Sequence, residues 1–138
     1  MSTAETKFSA EEKAAMRARA KELKANEDGE KAIQAALGKM TPADRGLGEQ
    51  IHELVKKTAP DLTPKTWYGM PAYANEDGKV VCYFKNAGKF KSRYSEFGFS
   101  DTANLDHGSM WPIVYALTEL TKSDAAKIAK LVEQAVGA

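Results

Sequence analysis

Two stretches of this chain set carboxylates and imidazoles at spacings that matter to metal chemistry. Glu49-x-x-His52, with Glu53 adjacent, puts a carboxylate and an imidazole one helical turn apart, which is half of a carboxylate-bridged site in a helix bundle. The sequence has no second Glu-x-x-His to supply the other half. Asp101, Asp106 and His107 offer a loop set, but without a diagnostic ligand spacing. Acidic residues also gather near the N-terminus, at Glu11, Glu12, Glu22, Glu27, Asp28 and Glu30. Carboxylate oxygens are the donors that hard Fe(III) favours. Lys13, Arg17, Arg19, Lys21 and Lys24 are interleaved with them, and such neighbours form ion pairs that compete with a cation. The expectation is a solvated charged helix with no dedicated cage, and with Glu11, Glu12, Glu49 and Glu53 as the residues that would touch iron if any do.

Covalent chemistry has less to work with. Cys82 lies between Val81 and Tyr83 with no His or basic side chain next to it, so nothing adjacent lowers its thiol pKa. It reads as a buried packing residue. Ser, His and Asp are all present, but no nucleophile elbow or other triad signature is.

Binding chemistry is better represented. The stretch from Trp67 to Phe99 holds most of the aromatic residues. Gly69-Met70-Pro71 can shape a cleft walled by Trp67, Tyr68, Met70 and Tyr73, with Trp111 joining from later in the chain; rings with polar tips suit such walls. Lys85, Lys89, Lys91 and Arg93, with Tyr83 nearby, form a basic aromatic set of the kind that holds anions or single-stranded nucleic acid. Phe97-Gly98-Phe99 only partly matches an RNA-recognition strand. The net charge is +1, which gives no global attraction for nucleic acid or a membrane surface. The lysines are therefore read as a solvated strand face that discourages edge pairing, with Lys91 and Arg93 as candidate contacts for a ligand in the cleft.

The elements that position these residues follow from local pattern. A chain of 138 residues with 43% apolar content has the size for one domain with its own core. No apolar run approaches a membrane span, the N-terminus lacks a signal-peptide pattern, and one cysteine cannot form an internal disulfide. The expected compartment is the cytoplasm. Ser9 to Glu12 is a capping box that opens a helix to about residue 26, stopped near Gly29. A short helix over residues 30–37 follows. Thr41-Pro42 caps a third, which runs to about Thr58 with Leu47, Ile51, Leu54 and Val55 on its apolar stripe. Pro60 and Pro64 bracket an extended exit.

The period then changes to that of strands. Residues 66–68 and 71–74 are short β-prone runs. Asp77-Gly78 is a hairpin turn. Residues 79–85 form a strand with Val80, Cys82 and Phe84 on one face, and residues 89–94 another with Phe90 and Tyr94 on one face. All five are expected to face the helices. Trp111, Ile113, Tyr115 and Leu117 alternate as a further strand, and Thr121 to Asp124 caps a last helix. Helices, then an antiparallel sheet of four to five strands, then a helix make an α+β layer structure. Residues 1–28 are read as an N-terminal helical extension and 29–138 as a single α+β domain.

The segments TWYGMPAYANEDGKVVCYF, KFKSRY, FGFSDTANLDHGSMWP and ALTELT together resemble the YdhG-like family of small bacterial proteins. The run Tyr68-Gly69-Met70-Pro71-Ala72-Tyr73 is its most specific piece. The resemblance covers roughly residues 30–136. It implies a frataxin-like sandwich, a sheet covered on one side by N- and C-terminal helices. One branch is described as frataxin-like iron chaperones that bind iron through surface carboxylates. It brings no catalytic residue that maps onto this chain. The expected function is a non-enzymatic binding domain for a small molecule or protein. The alternative is an intracellular iron chaperone.

Overall fold

The computed structural model describes residues 9–137. The elements run α1 (Ala10–Gly38), α2 (Pro42–Thr58), β1 (Thr63–Trp67), β2 (Met70–Ala74), β3 (Val80–Lys85), β4 (Ser95–Phe99), β5 (Val114–Leu117) and α3 (Lys122–Ala135). The five strands form one sheet in sequential order, every neighbour antiparallel. The architecture is thus the α+β layer structure expected from the pattern of elements. No helix among the described residues is long and apolar enough to cross a membrane.

Each helix starts where its capping chemistry places it. The Ser9 hydroxyl accepts from the Glu12 amide, and the Glu12 carboxylate reaches back. Thr41 caps α2 ahead of Pro42. Thr121 and Asp124 form a reciprocal box at α3. These side chains satisfy amides that the first helical turn leaves without partners.

The expected stop at Gly29 does not occur. α1 continues unbroken for 29 residues, and Gly29 is buried inside it. A Cβ at that position would fall 2.7 Å from the Pro64 carbonyl carbon and closer still to its oxygen. The glycine therefore lets α1 lie directly against the backbone of β1. Pro64 is correspondingly part of edge strand β1 and not of a linker, a position that a residue without an amide donor tolerates. The first four turns of α1 stand in solvent. Ion pairs lie along α1 at Arg19–Glu22, Lys24–Asp28 and Glu27–Lys31.

Register assigns the faces. Pro64, Tyr73, Cys82 and Phe99 lie in one cross-strand row, and Phe84, Phe97 and Tyr115 in the next. Gly48 of α2 abuts Phe84 and Lys127 of α3 lies over Tyr115, so the helices share this face. Ile33, Leu37, Ile51, Val55, Ile128 and Val132 meet the sheet here to form the core. Lys65, Trp67, Ala72, Tyr83 and Gly98 lie on the opposite face.

Three expectations about the sheet are corrected. A bulge shifts the register so that Ala74 pairs with Val80 and not Val81. Val81 then turns inward beside Cys82, and Val80 leaves the helix face. An extra residue in one strand reverses the alternation beyond it. Residues 89–94 are not a strand. They belong to a turn-rich connection in which Lys91 has φ 54°, and β4 begins at Ser95. Phe90 is accordingly 39% exposed and Tyr94 is half-buried, so neither is a core residue facing the helices. Finally, Trp111 and Ile113 precede β5, which starts at Val114.

Candidate functional site

The expected cleft residues divide between the two faces of the sheet. Trp67 packs against Tyr68 and Tyr83, with ring centroids 5.0 and 5.3 Å apart, on the face away from the helices. Met70 is its register partner and is buried. Tyr73 points the other way, beneath the helices. Trp111 packs against the edge of the core. Lys91 and Arg93 are exposed on the β3–β4 connection, where the Arg93 guanidinium lies 5.0 Å from the Tyr94 ring.

The acidic residues do not converge either. Glu12 is engaged in its capping box, Glu11 is exposed in the same turn, and Glu49 and Glu53 stand exposed on α2. Among the described residues no three His, Cys, Asp or Glu side chains form a group able to hold a metal. Asp101, Asp106 and His107 therefore do not assemble into the loop site that their residue types allowed.

His52 has a different role from the half-site its spacing suggested. It is buried, and its Nδ1 lies 2.8 Å from the Tyr73 hydroxyl. Its Nε2 lies 2.8 and 2.9 Å from the two carboxylate oxygens of Glu30. Lys56 Nζ and Gln34 Nε2 also donate to that carboxylate, at 2.8 and 2.9 Å. Burial pushes the Glu30 pKa up, but the bonds from Lys56, Gln34 and His52 and the charge of His52 outweigh it and hold the group down at about 2. Burial, with Cys82 and Glu30 close by, raises Tyr73 well above the usual tyrosine value. A carboxylate that orients an imidazole against a hydroxyl is the geometry of a general base. Here the hydroxyl belongs to a residue that is 1% exposed and closed beneath the helices. The network therefore fastens α1, α2 and β2 together, with its buried polar atoms satisfied. Its signal in the sequence was the position of His52, four residues after Gly48 and three before Val55, on the buried face of α2.

Two hairpin connections and α1 bound a cleft. Trp67-Tyr68-Gly69-Met70 is a two-residue hairpin with φ 52° at Tyr68 and 75° at Gly69, the double left-handed pattern of a type I′ turn. Lys89, from the β3–β4 connection, donates from Nζ to the Tyr68 carbonyl at 2.8 Å and joins the two turns. That connection is anchored at its base. Asp44 Oδ2 accepts from the Gly88 amide at 2.8 Å and from Asn86 Nδ2 at 3.3 Å. Ser95 Oγ accepts from the Ala87 amide at 3.0 Å.

The space enclosed is about 630 Å³. Its apolar wall is Ala32, Ala35, Ala36 and Met40, and its polar residues are Lys39, Thr41, Thr66, Asn86 and Lys89. Gly69 and Gly88 complete the lining. A shallower depression of about 700 Å³ lies on the other face, beside Trp67 and the residue 75–80 turn.

Two features distinguish the cleft. Asn86 is 4% exposed, and its Oδ1 is buried without a hydrogen-bond partner among the described residues. An unsatisfied buried acceptor costs about 1–3 kcal/mol. Tyr68 and Lys91 are the non-glycine residues with positive φ among those described, and they sit in the two turns that bound this space. Such conformations cost of order 1–3 kcal/mol each and persist where surrounding structure imposes them, often at ligand sites. Nothing in the residues around Asn86 signals that its side-chain carbonyl would lack a partner.

No protein-family model, curated protein or solved structure matches the chain significantly.

Proposed function

We propose that this chain is a non-enzymatic binding domain whose ligand is a small molecule held in the cleft between α1 and the two hairpin turns. The observation that carries the reading is an unsatisfied buried acceptor in the lining of a concave site that is bounded by two turns, each of which contains a left-handed non-glycine residue. The volume lies within the range of small-molecule sites, and an apolar wall with a few polar groups is their usual composition. Glu30, His52 and Tyr73 are not among the residues that line the cleft, and the His52 and Tyr73 side chains are buried, which favours binding over catalysis there.

Kinship with the YdhG-like proteins belongs to the same proposal, since the Tyr68–Tyr73 run that carries the resemblance contains the turn beside the cleft. Cytoplasmic residence belongs to it too: Cys82 is free and buried, as suits a reducing compartment. The iron-chaperone alternative has less support, because Glu22, Glu27, Asp28 and Glu30 each have a cationic or imidazole partner.

The test is a thermal-shift screen of metabolites, repeated with Ala36→Phe. Ala36 is half-buried and lines the cleft, so phenylalanine fills the space. Hits that stabilise the native chain and lose their effect in the variant, with its circular dichroism unchanged, support the reading. Hits that stabilise both equally place the ligand elsewhere and refute it.

A further inference from the structure

We infer that the cleft takes an amphipathic anion, a small molecule with a carboxylate or phosphate group on an apolar body; this rests on the binding reading above. The lining contains two cations, Lys39 and Lys89, and two hydroxyls, Thr41 and Thr66, but no Asp or Glu. Among the described residues neither lysine has a carboxylate within 4.0 Å. Asp44, which is bonded to two lining residues, accepts from the Gly88 amide and from Asn86 Nδ2. Lys89 Nζ is already held in place by the Tyr68 carbonyl. That bond uses one of three donors and fixes the ammonium without neutralising it. Lys39, at the C-cap of α1, is exposed.

The apolar part of the lining makes a purely polar ion a poorer fit. Ala32, Ala35 and Ala36 recur at helical spacing, and Met40 joins them in the lining. This strip provides contact area for a hydrocarbon or ring and no hydrogen bonds. A molecule that pairs its anionic end with the lysines and lays its apolar end on the alanines uses both kinds of lining at once. A neutral molecule of the same shape uses one.

The experiment is calorimetric titration of the full chain with hexanoate, hexyl phosphate and hexanol. The native chain, Lys39→Met, Lys89→Met and Ala36→Phe are compared, each checked by circular dichroism. Either anion is expected to bind about tenfold or more tighter than hexanol, the scale of one charge-assisted hydrogen bond. That advantage should shrink in Lys39→Met, which removes no hydrogen bond of the fold, and all binding should vanish in Ala36→Phe. The relative affinities of hexanoate and hexyl phosphate distinguish a carboxylate from a phosphate ligand. If hexanol binds as well as the anions and Ala36→Phe abolishes it, the cleft is a binding site but the anion assignment is wrong. An anion preference that survives in both lysine variants overturns the assignment as well. No binding of any probe overturns the inference and the binding reading together.

Discussion

Replacing Gly29 by alanine is expected to destabilise the chain, against the ordinary effect of that substitution in a helix. In a solvated helix interior Gly→Ala stabilises by roughly 0.5–1 kcal/mol, because alanine loses less backbone freedom on folding. At Gly29 the new methyl carbon would stand 2.7 Å from the Pro64 carbonyl carbon, where ordinary contact begins at 3.4 Å. α1 and β1 must then separate by at least about 0.7 Å, and the obstacle is backbone that cannot rotate away. Overpacking of this kind costs about 1–3 kcal/mol, and a backbone obstacle puts it near 3. Less the propensity gain, the net loss is about 2 kcal/mol, or roughly 8 °C in Tm for a chain of this size. Gly46→Ala is the internal control. Gly46 lies in α2, and the methyl that alanine would add there has nothing within 4 Å of it, so the substitution should gain about 0.5–1 kcal/mol. Urea unfolding followed by far-UV circular dichroism measures both. If Gly29→Ala stabilises as much as Gly46→Ala does, α1 does not lie on Pro64 and the packing reasoning is refuted.

Glu30 gives a pH prediction. Its pKa is held at about 2 against an ordinary 4.5, so its stabilisation is complete above pH 4.5 and is lost as pH falls toward 2. Glu30→Gln should lower stability at pH 7 by about 1–2 kcal/mol, after allowance for partial exposure, and flatten the fall between pH 4.5 and 2; parallel urea-unfolding profiles for variant and native chain would count against it. Burial pushes the Cys82 thiol far above its usual range, so at pH 8 it should resist an aromatic disulfide reagent in the native chain and react promptly in urea. Fast native labelling would show that the core opens readily. Gly98→Ala would bring a methyl within 2.8 Å of the Tyr83 ring, which rests on Trp67. It should cost about 1–2 kcal/mol and shift Trp67 emission, with Tyr83→Leu relieving the stability cost; unchanged emission would place the Tyr83 ring away from Gly98.

What the sequence determined by itself was local. The caps at Ser9, Thr41 and Thr121, the Asp77-Gly78 turn, α2, α3 and most of β3 follow from side chains acting on backbone within four residues, or from an apolar period that a single element must bury. The layer arrangement follows from the order of those elements. Other features were decided between elements. Gly29 read as a helix stop because a glycine that ends a helix and a glycine that admits a neighbouring strand are the same residue in sequence. Only the approach of Pro64 separates the two. Lys89 to Tyr94 has the alternation of a strand, but Lys91 takes a left-handed conformation in a connection held by Asp44, Ser95 and Tyr68. Val81 faces the core because a bulge set by pairing with β2 reverses the pattern. The Glu30–His52–Tyr73 bonds span 22 and 21 residues, and the cleft draws its walls from α1, β1 and two turns. Contacts of that range are fixed by which surfaces pack together, and packing is a property of the assembled layers that no short window of the chain contains.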